Sequence, residues 1–226
     1  MKKKKTSFGK KAAAKPKLHE ALVHKPAARS DGGTARPGFP IVGIGASAGG
    51  LAAFEAFFSA MADTKSGMAF VLVQHLAPDH KSILGEIIQR YTPMRVVEVT
   101  DGMIVEPNCA YIIPPNRDMA FLDGALHLLE PAEPHGQRLP IDYFFRSLAL
   151  DQRERAVCIV LSGTGSDGTL GMRAVKAEGG LVMVQSPGSA EYDGMPKSAI
   201  AGGIADYVLP PAEMPAGRLA SRSGCR

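Results

Sequence analysis

Three residues able to do acyl-transfer chemistry occupy equivalent places along the chain. Ser47, His75 and Asp167 each follow an apolar segment of strand-like length. Ser47 lies in Gly45-Ala46-Ser47-Ala48-Gly49-Gly50, after Ile41-Val42-Gly43-Ile44. His75 follows Met68–Val73 and Gln74, and Asp167 closes Gly163-Thr164-Gly165-Ser166-Asp167-Gly168, after Ala156–Ser162. A serine hydroxyl is a weak nucleophile at neutral pH and needs a base within hydrogen-bond reach. Imidazole has the right intrinsic pKa for that work. A carboxylate on the second ring nitrogen fixes the tautomer and stabilises the imidazolium. Backbone N–H groups at a helix start just after Ser47 would receive an oxyanion, aided by the helix dipole.

Taken singly, each residue has an ordinary structural role. A serine in a strand-to-helix turn caps the helix, a histidine after a strand is a satisfied polar group, and an aspartate in a Gly-rich loop forms a turn. Their joint placement favours catalysis. A second motif claims the Ser47 turn: Gly43-x-Gly45-x-x-Ala48 matches a dinucleotide fingerprint. That motif predicts an acid at the end of the next strand, where this chain has Gln74 and His75; the nearest acid is Asp79, beyond Pro78. The order Ser, His, Asp also differs from the Ser, Asp, His order of α/β-hydrolases. His75 and His80 are five apart, which does not place two metal ligands on one helix face, so no metal is expected.

The elements that must carry these residues alternate. Strands are predicted over 41–44, 68–73, 96–99, 110–113, 156–162, 181–185 and 205–209. Helices are predicted over 50–61, after Ser82, over 142–150, 169–178 and 195–201. Asp123-Gly124, between 119–122 and 125–129, signals a β-hairpin. Alternation of this kind predicts an α/β fold with a doubly wound, mostly parallel sheet and an antiparallel hairpin added to it. In such sheets ligands bind beyond the carboxyl ends of the strands, where the three residues sit.

The chain has 226 residues, 45% of them hydrophobic, enough for one sizeable core. The net charge of +4 is uneven: residues 1–36 hold 11 of the 26 Lys and Arg and only two acids, Glu20 and Asp31. The rest is mildly acidic. Residues 1–38 read as a basic tail and linker, 39–212 as one domain and 213–226 as a second tail. Lys2–Lys5 lack the apolar stretch of a signal peptide, and no apolar run is long enough to span a membrane. Few aromatics interleave the basic residues, so no nucleic-acid partner is expected. Cys109, Cys158 and Cys225 are too few and too scattered for a disulfide framework or a zinc cluster, which fits a cytoplasmic setting.

With these residues in place, the chain resembles the catalytic domain of CheB-type protein-glutamate methylesterases of bacterial chemotaxis. The matching stretches are Ile44–Gly50, Val73-Gln74-His75, Tyr111–Pro115, Leu161–Gly168 and Gly194-Met195-Pro196. The wording is nearest to the methylesterase part of methylesterase/methyltransferase fusions. The resemblance implies a Rossmann-like doubly wound sheet and no cofactor. It implies hydrolysis of γ-glutamyl methyl esters on the cytoplasmic helices of chemoreceptors, with deamidation of receptor glutamines. Ser47 would be nucleophile, His75 base and Asp167 orienter; Ala48, Thr164, Gly165 and Met195 would line the oxyanion site or substrate cleft. Members often have Thr at the position of Ala48 and Met at that of Thr164, which bears on substrate preference. They also carry a receiver domain, for which residues 1–38 are too short and polar; a receiver or a methyltransferase is therefore expected in trans. The readings from other classes are a non-enzymatic signalling module with a vestigial site, and a dinucleotide-binding domain.

Overall fold

A computed structural model of the chain describes residues 38–61, 65–74, 84–131 and 138–215. All of them fall in one compact unit. The expected basic tail, the helix cap Ser82 and Cys225 lie outside the described residues, and so does His75.

Seven strands form one parallel sheet: β1 (Ile41–Ala46), β2 (Ala69–Gln74), β3 (Arg95–Glu98), β5 (Cys109–Ile112), β8 (Ala156–Val160), β9 (Leu181–Gln185) and β10 (Tyr207–Leu209). Their spatial order is β10-β9-β8-β1-β2-β5-β3. The chain lays β2, β3 and β5 on one side of β1, with β5 returning between β2 and β3, and then β8, β9 and β10 on the other, so the order reverses between β1 and β8. This is the doubly wound, mostly parallel sheet that the alternating pattern predicts.

Alternate residues of the central strands feed two core layers. Val42, Ile44, Phe70 and Leu72 pack with Phe54, Phe57 and Phe58 of α1 (Gly50–Ser59) and Ile88 of α2 (Leu84–Tyr91). Ile41, Val71 and Val73 pack with Phe144, Phe145 and Leu148 of α3 (Pro140–Gln152), Met172 and Val175 of α4 (Thr169–Ala177), and Met195 and Ala199 of α5 (Gly194–Ala201). Phe57, Phe58 and Phe70 meet edge to face, with ring centroids 5.3–6.1 Å apart. Each such fully buried ring contributes about 1.5–3 kcal/mol relative to an exposed one. Met214 is fully buried in the α1 layer, two residues past the expected boundary at 212.

The hairpin forms as Asp123-Gly124 predicts, with β6 (Asp118–Leu122) antiparallel to β7 (Ala125–Leu129). A two-residue strand, β4 (Met103–Ile104), joins it to make a three-stranded sheet that sequence periodicity does not show. The small sheet is tied to α3 by Phe121 N–H donating to Ser147 Oγ at 2.9 Å and Asp123 N–H donating to Asp151 Oδ2 at 2.7 Å. No helix among the described residues is long and apolar enough to cross a membrane.

Candidate active site

The strand ladder continues past β1 into the Ser47 turn. Leu161 N–H donates to Gly45 O at 2.9 Å, and Ser47 N–H donates to Ser162 O at 3.0 Å. Ser47 therefore sits over the gap between β1 and β8, where the strand order reverses and a crevice must open. Gly49 then takes a left-handed conformation (φ 69°) that lets the chain turn directly into α1. No acceptor for the Ala48 or Gly49 amide is found among the described residues. These two N–H groups stand at the positive end of α1, directly after Ser47 in the chain. Ser47 opens on a cleft of about 630 Å³, whose far walls are Leu51, Ala52, Glu55, Gln74 and Glu191.

Gly43 and Gly45 do not make a phosphate-binding turn. Both lie inside β1, with their missing side chains facing α3. A Cβ on Gly45 would fall 2.3 Å from Ile141 Cγ2, and one on Gly43 would fall 2.9 Å from Phe144 Cε1. The glycines admit the first turn of α3 against β1, which accounts for them without a dinucleotide.

That close approach brings the start of α3 to Asp167. Its carboxylate accepts from Ile141 N–H (Oδ2, 3.1 Å), from Asp142 N–H (Oδ1, 2.9 Å) and from Gly168 N–H (Oδ1, 2.9 Å). Pro140 opens α3 without an N–H, so Asp167 takes the two amides of the first turn that follow it. Asp167 is only 4% exposed. Burial pushes its carboxyl up to about 7; the three amides oppose this, and the nearby negative charge of Asp142 adds to it.

The other expected site residues divide. Thr164 and Gly165 are exposed on the loop before Asp167. Ala48 lies on the cleft wall, and its carbonyl accepts from Ser162 Oγ at 2.9 Å. Met195 is fully buried beneath the loop, its N–H on Gly163 O at 2.8 Å, so it packs rather than faces a substrate. A Cβ on Gly163 would lie 2.1 Å from Met195 Sδ and 3.0 Å from Ser47 Cβ.

Three contributors escape sequence reasoning. Ser162 is buried and binds on several sides: its Oγ also accepts from Tyr192 N–H at 3.0 Å, and its own N–H donates to Gln185 Oε1 at 2.8 Å. It thus clamps the Ser47 turn, β9 and the 191–193 loop together. Glu191 and Glu55 supply carboxylates to the cleft. Only the proximity of Glu191 to the Tyr192–Pro196 loop hinted at it. Among the described residues no group of His, Cys, Asp and Glu is arranged to hold a metal ion.

Comparison with known proteins decides the family. Residues 42–217 match the family model described as CheB methylesterase. This chain belongs to the CheB methylesterase family. The crystal structure of the CheB methylesterase catalytic domain of Thermotoga maritima superposes with a TM-score of 0.74 at 29% identity, covering 81% of this chain and 98% of that one. The protein-glutamate methylesterase/protein-glutamine glutaminase of the group 3 operon of Rhizobium meliloti is 32% identical over 81% of this chain. An uncharacterized 104.1 kDa protein of Rhodobacter capsulatus is 45% identical over 56% of it. This chain spans 52% and 13% of those two relatives' lengths, respectively. The CheB fold thus accounts for the reversal point at which Ser47 sits and for the small antiparallel sheet.

Proposed function

We propose that this chain is a serine hydrolase that removes methyl from γ-glutamyl methyl esters on chemoreceptor cytoplasmic helices, and deamidates receptor glutamines by the same route. The register of the sheet is the observation that carries it. Ala46 of β1 pairs with Gln74 of β2, the last residues of the two strands, and in the sequence Ser47 follows the first and His75 the second. The third neighbour, β8, leads into the loop that ends at the buried Asp167. Ser47 and Asp167 thus follow β1 and β8 at the carboxyl end of the sheet, and β2, after which His75 comes in the sequence, ends beside them. The activities for which the CheB relatives are named support the substrate class.

Chemically, Ser47 Oγ attacks the γ-carbonyl carbon while His75 takes its proton. The oxyanion forms beside the Ala48 and Gly49 amides at the α1 N-terminus. His75 returns the proton to the leaving group; methanol departs from an ester, ammonia from an amide. Water, activated by His75, then hydrolyses the γ-glutamyl ester on Ser47 and leaves a glutamate carboxylate. Asp167, ionised, holds the imidazole and balances its positive charge. Ala48 in place of a hydroxyl-bearing residue leaves the oxyanion to backbone donors.

The test is methanol release from methylated receptor. Ser47→Ala is expected to lower it by about 10⁶-fold, the scale for loss of a triad nucleophile. Release that persists in folded Ser47→Ala protein rules the mechanism out.

A further inference from the structure

Helices α3 and α4 begin face to face, and neither supplies its own cap. Their N-cap residues, Leu139 and Gly168, make no side-chain capping bond. Each helix instead donates its first-turn amides to a carboxylate from the other side. Asp167, just before α4, accepts from Ile141 and Asp142 of α3. Asp142, in the first turn of α3, accepts from Gly171 N–H of α4 at 2.6 Å. The crossing is tight because position 171 has no side chain: a Cβ there would lie 2.5 Å from Phe145 Cβ and 3.1 Å from Asp142 Cα. Asp142 is as buried as Asp167, at 4% exposure. A carboxylate is kept this deep only where amides and helix dipoles offset its desolvation.

We propose that Asp142 is a positioning residue for the reaction: bound to the Gly171 amide, it fixes the start of α4, and with it the loop that aims Asp167, against the start of α3. This rests on the assignment of Asp167 as the group that orients the base. The pair is reciprocal. Each carboxylate holds the helix that carries the other, so the two helix starts and the loop between them move as one body. Two charged groups among the described residues act on the pair from α3. Asp142 faces Asp167 from α3, and Arg146 one turn further along α3 partly offsets the Asp142 charge. The first turn of α4 has no acidic side chain, and α5 meets it through Ser198 Oγ and Thr169 Oγ1 at 3.1 Å. Both carboxyls are pushed up by burial, and the Asp142 charge raises Asp167 further. Removing that charge lowers the affinity of Asp167 for its proton.

Two variants of the intact chain separate positioning from mere support. Asp142→Ala removes the acceptor for Gly171. Its kcat for methyl-ester hydrolysis is expected to fall by about 10–100-fold with KM little changed, the cost of a small misplacement of a catalytic group. Asp142→Asn keeps an acceptor oxygen and removes the charge. It is expected to retain most of kcat at alkaline pH and to shift the acid limb of the pH profile downward. An unchanged kcat in Asp142→Ala, or an unmoved limb in Asp142→Asn, overturns the proposal. If Asp142→Ala does not fold by circular dichroism, the limb of Asp142→Asn decides alone. Asp167→Asn is the control. Full activity in it overturns the orienting role of Asp167, and the role of Asp142 with it. Loss of activity there beside wild-type behaviour in both Asp142 variants overturns only the positioning role.

Discussion

Ser47 is held by its backbone rather than by its side chain. Its N–H is fixed on Ser162 O, its carbonyl accepts from Gly50, and Gly163 lies directly beneath its Cβ. Only glycine fits at 163, because any Cβ would meet Met195 Sδ and press on Ser47. Gly163→Ala is therefore expected to displace Ser47, the proposed nucleophile, before it unfolds the protein. Esterase kcat falls by about 10–100-fold while the melting temperature drops only a few degrees, as overpacking by one methyl costs about 1–3 kcal/mol. Thermal melts and initial rates on the same sample check this; unchanged kcat would mean that the Gly163 contact does not position Ser47. The places of Ser47 and Asp167 at strand ends were legible in the sequence because each stands in a Gly-rich loop after an apolar run. Ser162 and Asp142 were not. Their partners lie 114 and 29 residues away in the chain, and pairings at that range leave no local pattern.

At the scale of elements, α3 does three jobs at separate levels. Its first turn binds Asp167, its middle packs Phe144 and Phe145 against β1, and its last turns hold the small sheet through Ser147 and Asp151. Ile141 and Asp151 are about 15 Å apart along the helix at 1.5 Å per residue. The two ends are thus separable by mutation. Asp151→Ala strands the Asp123 amide and the Gln152 carboxamide that now donate to it. It is expected to cost about 1–3 kcal/mol of stability and leave ester hydrolysis by folded protein near wild type. Urea denaturation and initial rates measure the two effects; a large loss of kcat would show that the small sheet reaches the site. The sequence pattern predicts a start of α3 at 142, but the helix begins at Pro140. The cap that would have marked its start is Asp167, from a loop 25 residues on, so no capping residue precedes the helix. β4 was hidden for a different reason: two residues cannot display an alternation. The buried strands were legible because strands covered on both faces must be apolar throughout.

For the molecule as a whole, the doubly wound order matters because it brings β1, β2 and β8 side by side with their carboxyl ends together. The site carries a cost that stability measurements can read. Asp167 binds its proton more tightly in the folded chain, at about 7, than in the unfolded one. Folded protein therefore holds the extra proton between about pH 4 and 7, and stability is lost as pH rises through that window. The melting temperature of Asp167→Asn, measured relative to wild type, should rise from pH 4 to 7 and level off above; a flat difference would mean that Asp167 is not held at a cost. The central claim is that this fold delivers one activated serine. Mass spectrometry after treatment with a fluorophosphonate tests it most directly. One adduct per chain on the Ser47 peptide, lost on unfolding and in Asp167→Asn, is the predicted result. No adduct on Ser47, or an adduct on another serine in protein that still releases methanol, would contradict it.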